Sequence, residues 1–239
     1  MSHSRCQPRR PDLRVGKQAT GWHEQVDYDQ VQQMTRAAKA KQFFGKGSYT
    51  VPEAAKLLRL PTPRVRRWAA GYSFRADGAV RFSDPLIERE FEDSSGLVEL
   101  SFLDLVELMF IDRFHSQGVS LPVIRQTAKY ATSLFGTDHP FCVRRLRTDG
   151  ITIFAEMHRA ELAAREQAGK STIDLRSGQH VFDEVVSPFL RRFTYDVETD
   201  LVKEWFPLGQ ERGVVLNPAL SFGQPVIAKS GVPTRALKA

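Results

Sequence analysis

Three arginines, Arg64, Arg66 and Arg67, fall within one short segment, Thr62-Pro63-Arg64-Val65-Arg66-Arg67-Trp68. A guanidinium is a planar, permanently charged fork that meets a phosphate, or the O6 and N7 edge of guanine, with paired hydrogen bonds. Several of them along roughly two turns of helix suit a row of phosphates and base edges. A second basic pair, Arg75 and Arg81, flanks Asp77-Gly78 and would stand on either side of a turn, placed to grip a phosphate backbone. A solvated basic face on an amphipathic helical hairpin needs the same residues, so the surrounding chain has to separate the two.

Other chemistry is absent from the sequence. There is no G-x-S-x-G, no H-E-x-x-H and no dinucleotide-binding glycine loop, and the six histidines are scattered. Gly45-Lys46-Gly47-Ser48 lacks the G-x-x-x-x-G-K-[ST] spacing of a phosphate loop and is expected to be a linker. No second Cys/His pair completes a zinc site around His139 and Cys142, and Cys6 and Cys142 do not suggest a disulfide framework. The expectation is a protein that is not an enzyme and uses no cofactor or metal.

The elements that would position the arginines are written plainly. Thr50 and Glu53 have T-x-x-E spacing, so a capped helix starts there, with Pro52 in its first turn. Ala54, Ala55, Leu57 and Leu58 give it an apolar side, and Leu60-Pro61 ends it. Thr62-Pro63 opens a second helix in which Val65 and Trp68, three apart, point inward and leave the arginines on the outer face or its flanks. Phe74-Arg75 and Val80-Arg81-Phe82 around Asp77-Gly78 then read as a short hairpin, a wing beside that helix. The acidic run Glu88 to Asp93 is expected to be solvated. Ser101 and Asp104 cap a further helix whose stripe is Phe102, Leu105, Val106, Met109, Phe110 and Phe114, ending at Gly118. Ser120-Leu121-Pro122 restarts a helix with Val123, Ile124, Ala128 and Leu134, closed by Gly136.

Charge separates the two ends. The net charge is +6, yet residues 1–81 hold sixteen Lys/Arg against six Asp/Glu, and residues 82–239 eighteen against twenty-two. A basic front beside a mildly acidic back implies one surface for a polyanion and another task for the remainder. Arg5, Arg9, Arg10, Arg14 and Lys17 lie in a Pro- and Gly-containing start expected to be a flexible arm, and residues 27–44 are helix-permissive. No apolar run approaches a membrane span and the start lacks a signal-peptide core, so no membrane association and a cytoplasmic location are expected.

After His139 the periodicity shortens. Phe141-Cys142-Val143 and Ile151 to Phe154 bracket Asp149-Gly150, and Ile173-Asp174-Leu175 and His180-Val181-Phe182 bracket Ser177-Gly178, suggesting two hairpins with a helix over 155–168 between them. A helix from about Asp183 to Phe193 carries Val185, Val186, Phe189 and Leu190 inward. The fold class is α+β, a mainly helical front followed by a small α+β domain.

Residues Tyr49 to about Leu134 resemble the MerR-type winged helix-turn-helix. The resemblance rests on Tyr49-Thr50-Val51 with Glu53-Ala54-Ala55 and Leu57-Leu58, on Val65-Arg66-Arg67-Trp68, on Arg81-Phe82 in the wing, and on Gly118 to Arg125. Arg67 stands where that family has an aromatic and Ala69 where an acidic residue is usual. The tail from Val215 to Thr234, with Asn217-Pro218, Phe222-Gly223 and Gly231-Val232-Pro233-Thr234, is similar to a small domain that accompanies antitoxins of PIN-domain toxins. In that domain a helical hairpin follows, whereas the sequence here stops at Ala239, so the expectation is a tail that is incomplete or one that folds only on a partner.

Together the two likenesses resemble a VapB-type antitoxin with a MerR-like DNA-binding domain. They imply an arm and leading helix at 1–44, a winged helix-turn-helix at 45–137, a small α+β domain at 138–212 and an antitoxin-type tail at 213–239. They also imply a homodimer that represses its own operon through operator DNA and silences a PIN-domain, VapC-type ribonuclease. Lys229, Arg235 and Lys238 are then the cations that would enter the toxin's carboxylate-lined site, with Trp205, Phe206 and Phe222 as apolar anchors; Leu201 to Phe206 is one candidate for the dimer surface. The competing expectation is a stand-alone MerR-like repressor sensing a small molecule.

Overall fold

The computed structural model describes residues 45–91, 97–146 and 187–237. In chain order these form β1 (Tyr49–Thr50), α1 (Val51–Leu58), α2 (Thr62–Ala70), β2 (Tyr72–Ala76), β3 (Ala79–Ser83), β4 (Glu99–Leu100), α3 (Phe102–Ser116) and α4 (Leu121–Phe135). A 3-10 turn at Pro140–Cys142 follows, then α5 (Ser187–Leu190), β5 (Phe193–Tyr195), β6 (Val202–Trp205), β7 (Val214–Val215) and β8 (Val226–Ile227). Helices with short antiparallel ribbons make this an α+β fold, with the helix-turn-helix on its N-terminal side.

The two expected capping boxes form. Thr50 Oγ1 accepts from Glu53 N–H while the Glu53 carboxylate accepts from Thr50 N–H at 2.8 Å. Ser101 and Asp104 repeat the exchange at the start of α3, where the side chains are buried. Each box satisfies backbone donors that a helix start otherwise leaves orphaned. The β1–β4 pair, Tyr49 opposite Leu100, ties the two capped starts together.

α3 is the centre of the packing. Its buried residues run from Asp104 through Ile111 with Phe102 and Phe114, so it is enclosed all round and not merely along a stripe. One side meets Tyr49, Val51, Ala54, Val65 and Trp68; another meets a ring cluster in which Phe110 lies 5.5 Å from Phe189 and 5.8 Å from Phe193. The ribbon β5–β6 carries Phe193 and Trp205, and Glu204 fixes it by accepting from Thr194 Oγ1 at 2.8 Å and from Asn217 Nδ2 at 3.0 Å.

Several expectations are corrected. Phe141-Cys142-Val143 is not a strand: Pro140 starts a 3-10 turn, and Phe141 N–H donates to the buried Glu107 carboxylate at 3.0 Å. The helix expected to reach Phe193 stops at Leu190, because Phe193 opens β5. Leu134 is exposed on α4, whose inner side is Val123, Ile124, Thr127 and Ala131. The acidic run is not simply solvated, since Phe91 is buried and Glu90 pairs with Lys46 at 3.3 Å. Gly45 to Ser48 is more than a linker: Ser48 N–H donates to Phe222 O and Phe102 N–H to Lys46 O. Val202 and Trp205 of β6 are buried, which removes Leu201 to Phe206 as an exposed apolar dimer surface.

The N-terminal arm with Cys6, the segment 27–44, the strands at 151–154 and 173–182, the helix over 155–168 and Lys238 lie outside the described residues. Among the described residues no helix is long and apolar enough to cross a membrane.

Candidate nucleic-acid interface

α2 buries Val65, Trp68 and Ala69, as the three-residue spacing requires, and the arginines divide among three environments. Arg66 is exposed. Arg67 is exposed too, but its Nε donates to Pro63 O at 3.3 Å and its guanidinium stands 5.6 Å from the Tyr72 ring centroid, at the base of the wing. Arg64 is partly exposed: it pairs with Asp112 of α3 at 3.6 Å and lies 5.7 Å from the Trp68 ring. Arg64 thus clamps α2 to α3, whereas Arg66 and Arg67 remain on the open face.

The wing is β2 paired with β3 through a turn in which Asp77 (φ 52°) and Gly78 (φ 76°) both take the left-handed region. That is the mirror-image turn an Asp-Gly pair favours in two-residue hairpins. The register puts Arg75 opposite Val80 and Phe74 opposite Arg81. Cross-strand partners share a face and successive residues alternate, so Arg75 and Arg81 project from opposite faces of the ribbon. Arg81 donates to Asp77 Oδ2 at 2.9 Å across the turn, leaving Arg75 as the wing arginine without an ion pair among the described residues. The ribbon also exposes Phe82 and Val80 (59 % and 70 % accessible).

Three contacts fix the wing against α2. Gly71, with φ 72°, makes the turn between them, and a Cβ there would lie 2.5 Å from the Ser83 carbonyl oxygen and 2.6 Å from the Phe82 ring. Leu86 N–H donates to Trp68 O at 2.8 Å. Arg125 of α4 reaches across to Asp84 O at 2.9 Å. In the sequence Arg125 is simply the end of the stretch that begins at Gly118; its grip on the wing is tertiary.

α3 itself carries buried ionisable groups, with His139 beside them. Burial pushes the Asp104 carboxyl up to about 6, against the lowering effect of its hydrogen bond from Ser101 N–H, with the Glu90 charge adding to the rise. Glu107 is raised by burial as well, and burial holds the His139 ring below its ordinary value. His139 Nδ1 stands 4.0 Å from Asp104 Oδ1, and both atoms lack a hydrogen-bond partner. Among the described residues no cluster of His, Cys, Asp and Glu could hold a metal ion.

The tail is folded onto the front. β7 pairs with β8, Leu216 exchanges backbone hydrogen bonds with Trp205 at 2.8 and 2.9 Å, and Tyr49 Oη donates to Gly223 O at 2.6 Å in a buried contact. Ser221 and Phe222 take positive φ to present that carbonyl, and a Cβ on Gly223 would collide with the Tyr49 hydroxyl. Lys229, at the tip of a turn closed by Gly231 N–H to Ile227 O, and Arg235 are exposed, as is Phe222. Phe206 is half-buried. Trp205 is buried against the aromatic cluster, which takes it out of the accessible apolar anchors.

Residues 47–128 match a family described as "Putative DNA-binding HTH domain". Over 188 residues the chain is 29 % identical to a protein named "Putative antitoxin VapB45" from Mycobacterium tuberculosis (strain ATCC 25618 / H37Rv), covering 77 % of this chain and 78 % of that protein. The X-ray crystal structure of Rv2018 from Mycobacterium tuberculosis is similar with a TM-score of 0.58 and 25 % identity, over 80 % of this chain and 83 % of that one.

Proposed function

We propose that this chain, a VapB-type antitoxin with a helix-turn-helix domain, represses its own operon by binding operator DNA and neutralises a PIN-domain, VapC-type ribonuclease. The observation that carries the DNA half is the open face of α2, with Arg66 and Arg67 exposed beside a wing that adds Arg75 and Arg81. Arg66 and Arg67 read base edges, and Arg75 holds phosphate. Arg81 joins it once its bond to Asp77 is exchanged for a phosphate oxygen. Arg64 is a positioning residue that sets the tilt of α2 through Asp112. One recognition helix reads a half-site, so a palindromic operator calls for a homodimer.

The toxin-facing half is assigned to residues 138–239 and the DNA-facing half to 45–137. A PIN active site is a carboxylate cluster around a divalent cation, and an inserted guanidinium or ammonium pairs with those carboxylates and displaces metal or RNA. Lys229 and Arg235, both exposed, are the described cations assigned this role, with Lys238 further along the sequence and Phe222 and Phe206 as the apolar contacts. The likeness to a named antitoxin over most of both chains supports this half.

The test is co-expression of the full chain with the PIN-domain protein encoded beside it, then co-purification and an RNA-cleavage assay. Stable co-purification with suppressed cleavage, reversed by the double substitution Lys229→Glu and Arg235→Glu, is the expected result. A chain that purifies alone and leaves cleavage untouched overturns the toxin half. Mobility shifts with the upstream DNA of the same operon test the other half, and no shift at low salt rejects it.

A further inference from the structure

A cavity of about 440 Å³ opens between the α1–α2 turn, α3 and the β5–β6 ribbon. Its walls are apolar on the helix-turn-helix side, from Leu57, Leu58 and Leu60, and aromatic on the other, from Phe189 and Trp205. Four arginines line it: Arg59, Arg113, Arg192 and Arg212. The lining acid is Asp112, and its carboxylate is already engaged by Arg64 at 3.6 Å.

The arginines are held for the cavity, not neutralised in it. Arg113 and Arg192 flank the Phe189 ring at 5.1 and 5.9 Å, and Arg192 Nη1 donates to Pro207 O at 3.0 Å. Arg59 is fixed at the end of α1 in the left-handed region, with φ 57°. Arg59 and Arg212 make no ion pair among the described residues. Trp205, 5 % exposed, backs the cavity as part of the core. The cavity thus presents guanidinium donors beside the side chains of Leu57, Leu60 and Phe189, which asks for an acceptor-rich ligand with an apolar body.

We infer that this cavity is a binding site for a small organic anion, a phosphate or carboxylate carried on a ring. The anion sits among the guanidiniums of Arg59, Arg113, Arg192 and Arg212, and the ring packs between Leu57, Leu60 and Phe189. The volume lies in the range of small-molecule sites, roughly 300–1,000 Å³. Leu57 and Leu58 end α1, and Arg59 and Leu60 lead from it toward the recognition helix, so occupancy stiffens that junction and changes operator affinity. Binding itself involves neither operator nor toxin, so it stands or falls separately from the function proposed above.

Phenyl phosphate and inorganic phosphate, titrated calorimetrically into the full chain, test it. Saturable binding of phenyl phosphate at one site per chain, at least about tenfold tighter than inorganic phosphate, is expected. The exposed Arg212→Ala should weaken it about tenfold with an unchanged melting temperature. Equal affinity for the two phosphates would mean charge attraction alone and overturns the site. Unchanged affinity in Arg212→Ala overturns it as well. Binding of a peptide containing Asp-Phe with none of phenyl phosphate would reassign the cavity to a protein partner and reject the proposal.

Discussion

Burial of the Asp104 carboxyl at the base of α3 changes its proton affinity, and the sign of the consequence can be worked out. Its value rises from 3.8 to about 6 on folding, so the native state binds the proton more tightly than the unfolded chain. This contribution is fully present below about 3.8 and is lost as pH rises to about 6, with a span on the order of 2 to 3 kcal/mol. His139, held low by burial, acts oppositely and contributes stability that fades as pH falls below about 6.5. Asp104→Asn keeps an acceptor for Ser101 N–H but cannot ionise. Denaturant unfolding of this variant between pH 4 and 7 should therefore show stability rising with pH more steeply than in the parent; an identical profile would mean Asp104 does not titrate in that window. On the open face of α2 the arginines differ in role. Arg66→Ala should cost about 1–3 kcal/mol in operator binding and relax sequence preference, whereas Arg75→Ala should weaken all sequences alike and reduce the salt slope by about one. Mobility shifts on operator and scrambled DNA at several salt concentrations separate the two.

The wing is an element whose aim depends on a single turn. Gly71 combines a left-handed φ with backbone closer than any side chain tolerates, the Ser83 carbonyl oxygen lying 2.5 Å from where a Cβ would stand. Gly71→Ala should therefore destabilise the protein by at least about 2 kcal/mol or swing the ribbon off α2. Thermal unfolding measures the first and operator affinity the second; a variant unchanged in both would show that the turn has slack. The hairpin is legible in the sequence because Asp77-Gly78 is a turn signal and aromatic and β-branched residues flank it. The opposite facing of Arg75 and Arg81 follows from the register, which the sequence leaves open until the turn type is fixed.

At the scale of the molecule, the Tyr49–Gly223 hydrogen bond joins residues 174 apart in sequence. Tyr49→Phe leaves the Gly223 carbonyl buried without its donor and should lower stability by about 1–3 kcal/mol. Hydrogen exchange should show the loss first in the tail amides that this bond organises, and a loss below about 0.5 kcal/mol would mean water replaces the hydroxyl. The sequence by itself determined the capped starts at Thr50 and Ser101, the inward Val65 and Trp68, the Asp-Gly turn and the basic front, because capping, helical periodicity and turn chemistry act over a few residues. The likeness to DNA-binding antitoxins is legible from short spaced motifs for the same reason. Tertiary structure alone decided that Arg64 faces Asp112, that Trp205 is buried, that the Phe222-Gly223 step docks on Tyr49, and that Arg59, Arg113, Arg192 and Arg212 converge on one cavity. Those pairings join residues far apart along the chain, where no local periodicity records which faces will meet once α3 is enclosed.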